Sequence, residues 1–117
     1  MDFQPTNLPI ESKYPKLVRD RIPEIIRNKT GAEVTQRILE NDGEFLEYLL
    51  KKLAEEAAEA EYGIKHGNLE EELADVFEII DAILEIKGWN KDYIAKIQEE
   101  KRRKNGGFKT RILMISK

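Results

Sequence analysis

Two pairs of acids constrain this chain more than any other feature: Glu56-x-x-Glu59 and Glu72-x-x-Asp75, with twelve residues between them. Each pair is spaced i, i+3 inside a stretch of helical apolar periodicity, so each sets two carboxylates on one face of a helix. Gly67 ends the first helix, and Asn68-Leu-Glu-Glu71 resembles a capping box with Asn in place of Ser or Thr that starts the second. So short a connection predicts an antiparallel hairpin. At about 1.5 Å per residue, Glu59 lies roughly 10 Å from the turn and Asp75 roughly 9 Å, with Glu56 and Glu72 about one turn to either side. Packed helices stand about 8–10 Å apart, so the four carboxylates are expected to share one small space. Like charges at that density repel unless a cation sits among them, and a hard divalent ion such as Mg²⁺, with its preference for oxygen, answers the need. Acid-rich helical surfaces are usually solvated faces, since Glu is a good helix former. Two such pairs at matched height on one hairpin are much harder to read that way.

The remaining elements follow from punctuation. Residues 1–13, with Pro5 and Pro9, have little periodicity and are expected to form an arm. Residues 14–117 form one domain, since a chain of 117 residues carries one core. Pro23 suits the first turn of a short helix through about residue 28, which Gly31 stops. Residues 32–39 read as a short strand, and Asn41-Asp42-Gly43 as a turn and cap before a long helix over about 44–66. The second long helix runs from Leu69 to about residue 87, with Gly88 as its stop. Asn90 caps another helix over about 91–104, which Gly106-Gly107 breaks. Residues 108–115 alternate in part and read as a final strand, paired with 33–39. The expected fold is therefore an all-α helical bundle built on the long hairpin, with a further helix and a minor two-stranded β element.

The apolar rows say how this bundle is covered. The first long helix carries Leu46, Leu49, Leu50, Leu53, Ala57, Ala60 and Ile64. The second has a main stripe of Leu69, Leu73, Val76, Phe77, Ile80 and Leu84, and another row of Glu72, Asp75, Ile79, Ala82 and Ile86. Two acids thus begin a row that continues as core-type side chains. A single chain would struggle to cover both faces, so a homo-oligomer, dimer or tetramer, is expected, with the acids at the edge of the buried zone.

Composition narrows the chemistry. There is no cysteine, which excludes disulfides and thiolate sites, and a single histidine argues against a His-rich metal centre. The net charge of −3 gives no bulk attraction to nucleic acid or to an anionic membrane. No apolar run approaches the ~20 residues of a membrane span. The expected setting is cytoplasmic, with no nucleic-acid or membrane partner.

The run Lys52-Leu-Ala-Glu55-Glu56-Ala-Ala-Glu59, followed by Glu72-Leu-Ala-Asp75-Val, resembles the metal-binding signature of the all-α nucleoside triphosphate pyrophosphohydrolases. That superfamily includes MazG-type enzymes, dimeric dUTPases and phosphoribosyl-ATP pyrophosphohydrolase. Tyr14-Pro-Lys-Leu-Val-Arg-Asp-Arg-Ile-Pro and Gly106-Gly-Phe-x-x-Arg-Ile look like a MazG-like subgroup labelled phosphoribosyl-ATP pyrophosphohydrolase-like, so the likeness spans about residues 14–115. Unlike the two-domain MazG proteins, this chain has one copy of the motif. The resemblance implies Mg²⁺-dependent hydrolysis between the α- and β-phosphates of a nucleoside triphosphate, giving a monophosphate and pyrophosphate in nucleotide-pool house-cleaning. Mn²⁺ is the other ion such ligands accept. Glu56, Glu59, Glu72 and Asp75 would hold the metal, and Glu55 or Glu56 would orient the attacking water. Phosphoribosyl-ATP, as in histidine biosynthesis, is the alternative substrate, and a non-catalytic helical interaction module is the alternative from another class.

Several cations are candidate phosphate ligands, each with a plainer reading. Lys52 either meets a phosphate or forms an i, i+4 pair with Glu56. Lys16 and Arg19 either flank the site or pair with Asp20 or Glu24 on the surface. Lys101, Arg103 and Lys104 either reach a substrate or complement the dipole at a helix end. His66 reads as another dipole partner, and Trp89 as a hydrophobic anchor.

Overall fold

Asn41 and Asn90 start two of the helices in the same way. Each side-chain oxygen accepts a hydrogen bond from the backbone N–H three residues on, from Glu44 at 2.9 Å and from Tyr93 at 2.8 Å. The computed structural model describes residues 14–117, and the arm expected over 1–13 lies outside the described residues. The described residues form four helices: α1 (Ile22–Thr30), α2 (Asp42–His66), α3 (Leu69–Lys87) and α4 (Lys91–Asn105). α1 has proline in its first turn and ends on Gly31. It runs two residues past its expected end, because the Thr30 hydroxyl donates to the Ile26 carbonyl at 2.8 Å and satisfies an acceptor there. The expected capping box at Asn68 does not form. Asn68 makes no side-chain cap; its amide nitrogen instead donates to Glu72 at 3.2 Å.

The α2–α3 hairpin is the extensive helix–helix contact among the described residues. The turn is tight. Gly67 closes α2 in the left-handed conformation at φ 74°, which a side chain would make costly. Gly63 is buried, and a Cβ placed there would stand 3.2 Å from both the backbone N and Cα of Leu69. The core is small: Leu49, which is 3% exposed, together with Ala58, Ile79 and Leu84. The α3 row that carries the acids is the one turned toward α2, with Ile79 buried and Ala82 and Ile86 half-buried along it. Leu69, Leu73 and Phe77 of the main stripe, and Leu50 and Ile64 of α2, are left exposed.

No strand forms among the described residues, contrary to the two-stranded element expected over 33–39 and 108–115. A strand exists only through its ladder, and no ladder pairs either segment among the described residues. In the last segment a turn also intervenes, with the Arg111 N–H donating to the Phe108 carbonyl at 3.1 Å and Arg111 itself at φ 59°. The first segment is tied down by charge. Arg37 donates twice to Glu44, at 2.7 and 3.1 Å, and this pair holds the Glu44 carboxyl below its usual range. The result is elongated, with a radius of gyration of 17.6 Å. A compact chain of this size would have about 13 Å. No helix is long and apolar enough to cross a membrane among the described residues.

Two substitutions test this account by urea denaturation. Gly to Ala inside a helix normally stabilises by about 0.5–1 kcal/mol. Gly63→Ala is expected to lower the midpoint instead, because the new Cβ meets backbone. Leu49→Ala is expected to cost about 2–4 kcal/mol as a large-to-small core change, while Leu50→Ala, on the exposed side of the same turn, costs well under about 1 kcal/mol.

Candidate metal and phosphate site

The hairpin brings acids from both helices to one point. One carboxylate oxygen each from Glu56, Glu72 and Asp75 lie within 4.8 Å of one another. They line a cleft of about 300 Å³ together with Glu55, Glu59, Lys16 and Lys52. Six of these seven residues come from the hairpin. Lys16 comes from the segment that precedes α1. Glu59 therefore borders the cleft, as its spacing predicts, but stands outside the close group of three. The donor set is all carboxylate oxygen from two rigid helices, the chemistry that suits a hard divalent cation rather than a soft one.

The electrostatics of the group are uneven. Glu56 is well enclosed, its side chain only 12% exposed. Its pKa is raised to about 7, first by burial, then by the Asp75 charge, a hydrogen bond with Glu72 and the Glu72 charge, against the opposing pull of Lys52. Lys52 Nζ lies 3.6 Å from Glu56, so the i, i+4 pair is formed, and the same ammonium lines the cleft. Asp75 is held differently. Arg19 donates to it at 2.6 Å across 56 residues of sequence. Neither Asp20 nor Glu24 takes Arg19, and Glu24 pairs with Arg21 at 3.4 Å instead. Two carboxylates thus have a cation of their own, while Glu72 is held by the Asn68 amide.

The other candidates lie elsewhere. Lys101, Arg103 and Lys104 are exposed at the end of α4 and do not line the cleft. His66 stacks on Tyr62 with ring centroids 4.0 Å apart. Trp89 sits beside Tyr93, under the Lys87 ammonium at 5.4 Å. The ion pair between Arg19 and Asp75 is the contact at the candidate site that sequence reasoning did not supply. No local spacing encodes a contact over that separation, although Arg19 had already stood out as a phosphate ligand.

Comparisons with protein families, with curated proteins and with solved structures find no match to this chain.

The raised pKa of Glu56 has a measurable sign. Between about 4.5 and about 7 the folded chain keeps a proton that the unfolded chain releases. Stability from this group is therefore present at low pH and falls as pH rises through that window. Compared in EDTA, Glu56→Gln is expected to match the wild type near the lower limit and to melt at higher temperature above the upper one. Parallel melting curves across the window would show that Glu56 titrates normally.

Proposed function

We propose that this chain is a Mg²⁺-dependent nucleoside triphosphate pyrophosphohydrolase. It would cleave between the α- and β-phosphates, giving a monophosphate and pyrophosphate, in the clearance of unwanted nucleotides. The observation that carries this reading is the convergence of Glu56, Glu72 and Asp75 with Lys16 and Lys52 at one cleft, with Arg19 bonded to Asp75 beside it. Acids alone would suit a cation and bases alone an anion. The two together suit a cation bound with a polyphosphate.

The three carboxylates, with Glu59 beside them, would hold the ion. When bound, Mg²⁺ neutralises phosphate charge and stabilises the leaving pyrophosphate. The chain supplies the rest. Glu55 and Glu59 both line the cleft outside the close group; with Glu59 beside the ion, Glu55 would orient a water and take its proton. The water oxygen bonds to the α-phosphorus in line as the bridging bond to the β-phosphate breaks. Lys52 and Lys16 meet the phosphates as point charges. Arg19, once a cation has taken over the charge of Asp75, can turn its guanidinium to the same phosphates. The same geometry would serve phosphoribosyl-ATP, which presents the same bond.

The test is pyrophosphate release across canonical and modified nucleoside triphosphates and phosphoribosyl-ATP, with Mg²⁺ or EDTA. Turnover is expected only with Mg²⁺, and Glu72→Gln should lower it by about 100-fold or more, the scale of losing one preorganised charge stabiliser. Mg²⁺ should also raise the melting temperature of the wild type and not of Glu72→Gln, as a ligand of the folded state does. A folded protein that is silent across the panel and indifferent to Mg²⁺ would favour a helical interaction module.

A further inference from the structure

The outward face of α3 and the carboxy-terminal segment are two apolar surfaces left open among the described residues, and their charges are opposite. On α3, Phe77 is 67% exposed and Leu73 45%, next to Leu69. At 100° per residue, Glu70, Glu78 and Asp81 border this stripe on the side away from α2. Residues 69–86 hold seven acids and no Lys or Arg. In residues 108–115, Phe108, Ile112, Leu113, Met114 and Ile115 are 70–96% exposed. Residues 101–117 hold seven Lys and Arg and no acid. Few of these charges are satisfied within the chain. Among the described residues, the acids of α3 in ion pairs are Asp75 and Asp81, and the only basic residue of 101–117 in one is Arg102.

Each surface is what the other lacks: an apolar stripe with an acidic border, and an apolar segment among basic residues. Within one chain neither covers the other, since Phe77 and the apolar residues of 108–115 all stay exposed, and α4 makes no extensive contact with α3. We propose that residues 108–115 of one chain lie on the outward face of α3 in a second copy, with the exchange repeated about a two-fold axis. A two-fold dimer makes this contact twice, since every chain brings both halves of it. It covers Leu73 and Phe77 with the apolar side chains of the segment, and sets Lys109 and Arg111 against the acidic border. The inference is independent of the chemistry of the cleft.

The absence of cysteine makes a clean test. Phe77→Cys and Leu113→Cys chains, one carrying a size tag, are mixed and oxidised with glutathione disulfide. A cross-linked species with one chain of each kind is expected, and the unaltered protein at micromolar concentration should weigh twice its 13.6 kDa chain mass. Ile112→Asp with Ile115→Asp should return it to one chain mass. Both positions are exposed within the chain, so the helices should keep their circular dichroism. Any of three results overturns the proposal: a monomeric full chain, a dimer that survives the aspartates without the mixed cross-link, or a link closed within one chain in the Phe77→Cys, Leu113→Cys double variant.

Discussion

The buried Gly63 lets the backbone of Leu69 come closer to α2 than a side chain would readily allow, since a Cβ there would lie 3.2 Å from Leu69 N and Cα. That approach fixes how far α3 is rotated and at what height it starts. Because helices are rigid over this length, the placement made at the turn is carried to every later residue of α3. Glu72 follows Leu69 by three residues and Asp75 by six, so their oxygens come to lie within 4.8 Å of Glu56. A rotation of one residue, 100°, would send both acids toward solvent and bring a different row against α2. The acid group is thus a consequence of a backbone contact that involves none of its members.

Holding three carboxylates together is costly, and the chain spreads the cost in three ways. Glu56, whose side chain is well enclosed, keeps its proton up to about pH 7. Asp75 is neutralised by Arg19 and Glu72 is hydrogen-bonded to Asn68. All three arrangements are of a kind that a divalent cation replaces. A proton can be displaced, an exposed guanidinium can swing away, and a side-chain amide can shift. What cannot move is the helix pair beneath. The repulsion thus sits in the rigid part of the group and its relief in side chains, an arrangement that the proposed cation would exploit.

Much of this was legible in the sequence, for local reasons. Gly31, Gly67 and Gly88 each end a helix in the left-handed conformation, and Asn41 and Asn90 each begin one. These are signals read within four residues, as are the i, i+3 acid pairs. Three things were not local. The arc of α3 that faces α2 was ambiguous, because Leu73–Phe77 and Ile79–Ile86 are both apolar and only the turn decides between them. The Arg19–Asp75 pair spans 56 residues. The strands at 33–39 and 108–115 were read from alternation, which reports a tendency to pair but not the presence of a partner.

The placement of apolar area bears on how the site works. Leu49 and Leu84, buried far from the turn, lie roughly 25 Å along their helices from it, whereas Glu72 and Asp75 lie within about 10 Å. The half of the hairpin near the turn therefore has repelling acids where the far half has core. It is clasped at its end by Gly63 and Asn68 and in its middle by Ala58. Filling that half with Leu or Ile would make a more stable hairpin and abolish the cleft, a common relation between stability and a binding site. The deficit must be met from outside the two helices. The segment before α1 meets part of it, since Arg19 reaches Asp75 and Lys16 reaches the cleft wall. A bound cation, as proposed, would meet more, by turning mutual repulsion into shared attraction. Under the proposed function, the ligand would be part of what holds the turn half of the hairpin together, and its binding and the local stability of the site would be one equilibrium.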